Sequence, residues 1–183
     1  ALSKEVSATD DWIAMSRLQG AGNRLKPNTT GAEAGGISSG TFDHMTGWYK
    51  TTSANMSWMF KRATGFFDMV AYSGSGSATT QAHNLGVVPE LIIVKTRSDT
   101  NNWPVYSASL SNTGTLFLNS ADAGYSGIAS YWNSTTPTAS VFSLGNSNTT
   151  NGSGSTLIAY LFATLAGVSK VGSYTGTGAD LNV

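Results

Sequence analysis

The sequence predicts an all-β fold of two homologous antiparallel β-sandwich units in tandem, each resembling a jelly roll. Three observations support this. A long segment of the chain recurs near the C-terminus. Short apolar runs are separated by stretches rich in Gly, Asn, Ser and Thr, which suit turns and exposed strand faces. Lys and Glu, which fill helix surfaces, are scarce, and no window has convincing helical periodicity.

The internal repeat is the strongest of these signals. Residues 65–76 recur as residues 167–178 without a gap, at an offset of 102 (167 − 65). Residues 1–12 match residues 92–103 at an offset of 91 (103 − 12). The second copy therefore carries 11 extra residues (102 − 91), and residues 129–155 are the expected long loop or added strand pair. A unit of about 100 residues is the size of a whole sandwich domain.

The repeat divides the chain into three parts. Residues 1–64 form a first unit that lacks its opening strand, residues 65–166 a nearly complete second unit, and residues 167–183 the opening of a further one. Because an unpaired strand edge is costly, the tail strand around residues 171–175 could pair with residues 1–64, in the same chain or in a neighbour. Alternatively, the chain is a fragment of a longer repeat array, and the absence of a starting Met fits processing or a longer parent.

Within the second unit, alternating or continuous apolar runs predict six strands. Hairpin turns are expected at residues 74–76 and at residues 112–114. The run 91–94 follows Pro89 and is apolar throughout, which predicts a central strand buried on both faces. The predicted strands are residues 67–72, 91–94, 103–106, 115–118, 140–144 and 156–163.

Composition excludes several classes of site. Ten basic and ten acidic residues are spread without runs, so nothing predicts binding to nucleic acid or to an anionic membrane. No apolar run is long enough to insert into a bilayer. The absence of cysteine excludes disulfides, thiolate catalysis and cysteine-ligated zinc.

No catalytic residue, metal site or cofactor is predicted. The two histidines are His44 and His83, and His83 precedes a strand, where bonding to local backbone is expected. A glycosidase needs two carboxylates about a sugar, but the repeat replaces Asp68 by Lys170. In the same way, Asp10 and Asp11 become the amides Asn101 and Asn102. The chain is therefore expected not to be an enzyme.

The aromatic residues fall into two groups: those that recur at equivalent positions of the repeat and those that do not. Those in register, Trp12 with Trp103, Tyr72 with Tyr174 and Phe60 with Phe162, are expected to fill the core of each unit. The unshared ones are the candidates for an exposed surface that binds a glycan or a protein partner. Covering the end of a sandwich or forming a subunit contact is the alternative. These candidates are Trp48, Tyr49, Tyr125, Tyr131 and Trp132.

Several segments together resemble the repeated β-domain of tailed-bacteriophage virion proteins of the marine and cyanophage type, which are labelled tail-fibre or structural proteins. The resemblance covers almost the whole chain. Residues 32–49 depart from the pattern. The segments that carry it are residues 65–68, 72–76, 83–95, 103–106, 118–119, 137–145, 159–163 and 172–176.

The resemblance implies a protein on the exterior of the virion that assembles with other virion proteins and with its own copies; a trimer is the expectation from fibres in general. Three functions are weighed. The first is a tail-fibre or tail-tip module that touches a host-surface glycan. The second is an architectural role as capsid decoration, head fibre or connector. The third, a depolymerase or muramidase, is disfavoured by the repeat comparison.

Overall fold

The computed structural model of the protein describes residues 1–6, 9–36, 40–44, 47–50 and 55–180, with the backbone alone for residues 40, 41, 43, 44, 49 and 50. The fold is all-β and every strand pair is antiparallel. The strands are β1 (Leu2–Glu5), β2 (Ile13–Ala14), β3 (Gly40–His44), β4 (Gly47–Lys50), β5 (Asn55–Trp58), β6 (Phe67–Ser73), β7 (Thr79–Ala82), β8 (Leu91–Thr96), β9 (Pro104–Ser107), β10 (Leu116–Phe117), β11 (Val141–Leu144) and β12 (Thr156–Phe162). The helices are a 3₁₀ turn (Ala108–Leu110), α1 (Ala129–Trp132) and α2 (Asn148–Asn151).

A five-stranded sheet in the order β10-β9-β8-β12-β6 is the centre of the molecule. Its longest ladders join β12 to β6 on one side and to β8 on the other. Successive residues of a strand point to opposite faces, so both faces of this sheet are apolar. Leu157 and Ala159 belong to the core on one face, and Ile158 to the core on the other.

Each face of the central sheet is covered by a different layer. On one face, Trp132 of α1 and Phe142 and Leu144 of β11 complete a buried cluster. There β11 pairs with β7 in a small sheet of its own. On the other face, Ala14 of β2 and Leu25 pack against Phe67, Met69 and Trp103. The architecture is therefore a β-sandwich with the central sheet between two outer layers.

The N-terminal layer is a three-stranded sheet in the order β2-β1-β5, beside a separate β3-β4 hairpin. An Arg97–Glu33 ion pair at 2.8 Å and a Trp103 indole N–H donated to the Thr29 carbonyl at 2.9 Å link this layer to the central sheet. Arg97 also donates to the carbonyl of Gln19 at 3.3 Å. Polar contacts at the rim thus accompany the apolar cluster between the layers.

The three strands of the N-terminal sheet repeat the pairing of β9-β8-β12 in the same register. Ser3 lies opposite Ser57 in β1 and β5. The offsets of 91 (94 − 3) and 102 (159 − 57) carry that pair onto Val94 opposite Ala159 in β8 and β12. The bridges beyond β2 also recur: Arg24 faces Ala34, and Thr115 faces Tyr125.

Side-chain contacts recur along with the strands. The Asn28 amide oxygen accepts a hydrogen bond from the Trp12 backbone N–H at 3.0 Å, and Asn119 accepts from Trp103 at 2.8 Å. Trp12 stacks on Trp58, as Trp103 stacks on Tyr160 in the second copy. This correspondence supports the tandem repeat; the boundaries of the units stay a prediction.

All six strands predicted in the second unit are confirmed, with bounds that differ by a few residues. Two expectations were wrong. Residues 74–76 do not close a hairpin, because β6 and β7 belong to different sheets. The extra segment, residues 129–155, contributes only one strand, β11, and it also holds α1 and α2. These helices have four residues each, too few to produce a periodic pattern.

The shared aromatic residues are not all interior. Trp103 is buried, but Trp12 is half-buried, Phe60 is 40% exposed and Tyr174 is 71% exposed. In the described part of the chain, residues 170–176 pair with no strand of residues 1–64. Pairing of the tail within the same chain is therefore not observed. The exposed aromatics Phe60 and Tyr174 lie in the two segments, residues 1–64 and the tail, that were expected to pair.

Asn28 and Asn119, at equivalent positions of the two copies, allow the repeat to be tested by measuring the free energy of unfolding. Asn119→Ala should lower the free energy of unfolding by about 1–3 kcal/mol, because the backbone N–H of Trp103 loses its acceptor next to the buried Trp103 ring. Asn28→Ala should cost less, because the Trp12 contact is exposed to water. Urea unfolding of both variants measures this. Equal losses, or no loss in either, would contradict the assignment.

Candidate functional site

An aromatic cluster of Phe117, Tyr125 and Tyr131 lies at the β10 edge of the central sheet. The ring of Phe117 is 5.6 Å from that of Tyr125 and 6.0 Å, edge to face, from that of Tyr131. Tyr125 is 43% exposed and Leu118, next to Phe117, is 48% exposed. Two of the residues predicted from the sequence are thus brought together by Phe117, which was not predicted.

The backbone around the cluster is held by hydrogen bonds. Thr115 and Tyr125 exchange two backbone hydrogen bonds, each 2.9 Å long. The Ile128 N–H donates to the Thr113 carbonyl at 3.0 Å, which closes the loop that leads into α1. The buried Thr115 hydroxyl donates to the Val105 carbonyl of β9 at 3.2 Å. The loop that carries Tyr125 is therefore anchored to the central sheet.

Helix α1 carries Tyr131 and is fixed by the segment between β11 and α2. The backbone N–H of Gly145 donates to the Tyr131 carbonyl at 3.0 Å, and that of Ser147 to the Ser130 carbonyl at 2.9 Å. A Cβ atom at Gly145 would overlap the Ser130 carbonyl oxygen. This close approach explains why a glycine stands at this position.

Trp132 is not part of the exposed surface, so the expectation that it is a binding residue is corrected. Its side chain is 1% exposed and packs edge to face on Tyr106 at 5.8 Å. The turn of helix that presents Tyr131 to Phe117 directs the next residue into the core. Tyr131 itself is half-buried against the same core cluster.

The other two candidates lie on the β3-β4 hairpin, away from β10 in the chain. The Trp48 ring is half-buried and lies 5.5 Å from that of Phe42. Tyr49 pairs through its backbone with Thr41, and its side chain lies outside the described residues. The structure does not bring Trp48 to the aromatic cluster.

Polar groups follow Tyr131 in the chain. The Asn112 amide donates to the Thr136 hydroxyl at 3.2 Å, and the Thr135 hydroxyl donates to the Asn133 carbonyl at 2.8 Å. Asn133 and Ser134 both adopt positive φ, 52° and 47°, in the turn that ends α1. Exposed rings next to amides and hydroxyls can stack on an apolar face of a ligand while polar groups bind its hydroxyls.

A cavity of about 890 Å³ lies between the N-terminal sheet and the central sheet. Its walls are mostly apolar and include Leu2, Met69 and Phe162. The Tyr160 hydroxyl is buried there without a hydrogen-bond partner among the described residues. Met59 and Phe60 line the cavity and are also 53% and 40% exposed, so the cavity opens beside the end of β5.

His83 makes structural contacts, as expected from the sequence. Its Nδ1 accepts from the Leu85 backbone N–H at 3.2 Å, which leaves the proton on Nε2, 3.2 Å from the Thr138 carbonyl. Burial lowers the pKa of His83, against the opposing effects of the Thr138 carbonyl and the Asp68 carboxylate. His44 has its side chain outside the described residues.

The acidic groups are engaged by neighbours. Asp68 is buried, and its oxygens accept from Arg62 Nε at 2.6 Å and from the Asn84 backbone N–H at 2.7 Å. Asp11 lies 2.7 Å from Lys26 Nζ and accepts from Asn28. Across the described ranges, no group of three or more His, Cys, Asp or Glu side chains could hold a metal ion.

None of the helices in the described part of the chain has the length and apolar character needed to cross a bilayer.

Comparison with known proteins gives one match. Residues 2–182 match a family described as Domain of unknown function (DUF7483). No curated protein and no solved structure matches the chain.

The His83 contacts predict a pH dependence of stability. Because its pKa is lowered in the folded state, the unfolded chain takes up a proton first as the pH falls below about 6.5. The free energy of unfolding should therefore decrease between pH 7.5 and 5.5, and by less in His83→Gln. Urea unfolding at both pH values measures the difference. If the free energy of unfolding fell equally with pH in the parent chain and in His83→Gln, the effect would not come from His83.

The close contact between Gly145 and Ser130, which fixes α1, can be tested by substituting Gly145. Gly145→Ala should lower the free energy of unfolding by about 1–3 kcal/mol, because the new methyl group must displace the Ser130 carbonyl. Gly176→Ala, where a Cβ has open space, is the matched control and should change stability little. Thermal unfolding followed by tryptophan fluorescence reports both variants. A neutral Gly145→Ala would show that α1 is not fixed by this contact.

Proposed function

We propose that this chain, which belongs to the family described as Domain of unknown function (DUF7483), is a non-enzymatic structural protein on the exterior of a bacteriophage particle. In this proposal it is a tail-fibre or tail-tip module that contacts the host surface. The viral setting rests on the sequence resemblance to virion proteins described above. The host contact rests on the exposed aromatic cluster.

The aromatic cluster is the observation that carries the host-contact proposal. Phe117 and Tyr125 form a partly exposed ring pair at a sheet edge, with Leu118 continuing the apolar surface. The Thr115–Tyr125 backbone pair fixes its position before any ligand arrives. A preformed surface loses little conformational entropy on binding, which favours the recognition of a flexible ligand.

A glycan is the ligand class that best suits this surface. One face of a sugar ring is apolar and can stack on Tyr125, while ring hydroxyls can bind the amides and hydroxyls of the Asn133–Thr135 turn. A single surface of this size binds weakly. Several copies displayed on one particle would raise the effective affinity through multivalency.

The non-enzymatic part of the proposal is supported by the state of the carboxylates. Asp68 is neutralised by Arg62 and held by the Asn84 N–H. Glu33 is paired with Arg97, and Asp11 with Lys26. A hydrolase that acts on glycans needs two carboxylates facing a substrate cleft, and these pairs serve structural contacts instead.

An architectural role in the virion is the second candidate, favoured by a different surface. Met56, Trp58, Met59 and Phe60 follow one another along β5 and its continuation, and they are 40–53% exposed. Exposed apolar groups of this kind mark sites of protein–protein contact. A capsid decoration, head fibre or connector would use this surface to bind other virion proteins.

The host-contact proposal predicts an effect of Tyr125→Ala. Removal of the exposed ring should weaken binding of the purified chain to host cells about tenfold, which corresponds to the loss of one or two stacking contacts. Val168→Ala is the control, because it removes exposed apolar surface from the turn beyond β12, a strand that β9 and β8 separate from β10. Cell-binding titration of both variants gives the comparison.

The control for folding is thermal unfolding, which Tyr125→Ala should leave nearly unchanged. In virions that carry the variant, particle assembly should be normal and adsorption reduced. Full adsorption by intact variant particles would overturn the host-contact proposal and favour the architectural role.

A further inference from the structure

We propose that residues 169–175 of one copy of this chain add as an antiparallel strand to the outer edge of β5 in a second copy, and so link copies head to tail. The donor segment is called the tail strand below. This inference goes beyond the host-contact proposal and does not depend on it.

The acceptor is the outer edge of β5. Within the described part of the chain, β5 is the last strand of the sheet β2-β1-β5. Its counterpart in the central sheet, β12, is not an edge, because β6 covers it. At equivalent positions, Ile158 in β12 is 0% exposed and packs in a core cluster with Ala14 and Leu25, whereas Met56 in β5 is 52% exposed.

The register of the central sheet predicts how the tail strand fits. In the central sheet, Ile158 lies opposite Ala71 and Tyr160 opposite Met69. The offset of 102 carries these pairs onto Met56 opposite Ser173 and Trp58 opposite Val171. The strands β1 and β5 already follow the register of β8 and β12, so one further strand would extend an established pattern.

The tail strand begins with the same turn as β6. Ala63 bridges to Phe67 ahead of β6, and Leu165 bridges to Ser169 ahead of the tail strand. Gly65 and Gly167 sit in these turns with φ of 75° and 74°. The backbone N–H of Phe67 donates to the Ala63 carbonyl at 3.1 Å, and that of Ser169 to the Leu165 carbonyl at 2.9 Å.

After this shared turn the two segments differ. Residues 67–73 form β6, but residues 170–176 pair with no strand in the described part of the chain. Tyr72 is half-buried and its hydroxyl donates to the Thr150 carbonyl at 2.7 Å, whereas the equivalent Tyr174 is 71% exposed. The tail strand thus has the sequence and entry of a strand without the sheet.

A second copy is the occupant that fits the edge. The chain's own tail strand is described and does not lie in the edge of its own β5. Each copy therefore presents one donor and one acceptor. Addition of a strand to an exposed edge supplies backbone hydrogen bonds, and a contact between two different surfaces builds rings or filaments.

The side chains of the added strand would also lie on the same faces as those of their counterparts in β6. Val171 would lie on the same face as Trp58, as Met69 does beside Tyr160. Met69 lines the cavity between the sheets, and Met59 and Phe60 form part of its open side. An added tail strand would therefore cover the side where the cavity opens and remove exposed apolar surface from water.

Cysteine crosslinking tests the register, because the chain has no cysteine of its own. Chains carrying Met56→Cys are co-expressed with differently tagged chains carrying Ser173→Cys, and the product is oxidised. Directly opposed residues in an antiparallel pair lie within disulfide distance. The mixed crosslink should exceed by at least tenfold that of the control pair Met56→Cys with Tyr174→Cys, which would point to opposite faces.

A second variant tests assembly without crosslinks. Gly172→Pro removes a backbone N–H and disrupts the tail strand, and it leaves the fold of each chain intact because this segment is exposed. The parent chain should form oligomers whose mass rises with concentration in light scattering, and Gly172→Pro should shift them to monomer. Asp180→Pro, beyond the tail strand, is the matched control and should assemble as the parent does.

The outcomes are distinct. A parent chain that stays monomeric at about 100 µM overturns the proposal, as does equal crosslinking of the two cysteine pairs. A Met56→Cys, Ser173→Cys double variant that crosslinks only within one chain would show closure of the edge by the chain's own tail, which also overturns it. Host binding by Tyr125 is measured separately, so neither result bears on that proposal.

Discussion

The pairing of β12 on both sides is the constraint on which the rest of the structure depends. This strand hydrogen-bonds to β6 and β8 along nearly its whole length. It also supplies Leu157 and Ala159 to one core and Ile158 to the other. A sheet with two apolar faces must be covered twice, which explains both the α1-β11 layer and the N-terminal sheet. The equivalent strand β5 is paired on one side in the described chain, and the exposed apolar residues and the open cavity occur there.

The two surfaces proposed for function lie on different sheets. The aromatic cluster stands at β10, where the central sheet ends in a short strand and Phe117 meets Tyr125. The β5 edge lies in the other sheet, where Met56 and Trp58 are exposed. A ligand on the aromatic cluster and a strand added to β5 would therefore contact different residues.

The sequence predicted the strands of the second unit because their apolar runs and turn residues agree with their final positions. It did not predict β7 (Thr79–Ala82), because three of its four residues are polar and all are half-buried at most. Trp132 was misassigned because α1 is too short to show a period, and its burial depends on contacts with Tyr106 from a distant strand. Tyr125 and Tyr131 were found because the repeat does not share them. Phe117, which joins them, was not singled out, although its equivalent in the first copy is Lys26 and it is therefore unshared too. The edge position of β5 follows from topology.

Amide hydrogen exchange tests most directly the central claim, that in the described chain β5 is paired on one side where the equivalent strand β12 is paired on both. In the monomeric chain at low concentration, all the backbone amides of Ile158–Leu161 should be protected, because β12 is paired on both sides. The amides of Met56–Trp58 that point away from β1 should exchange rapidly. A synthetic peptide of residues 165–178 should then protect those β5 amides and leave β12 unchanged. Full protection of β5 before the peptide is added, or none after it, would contradict the account.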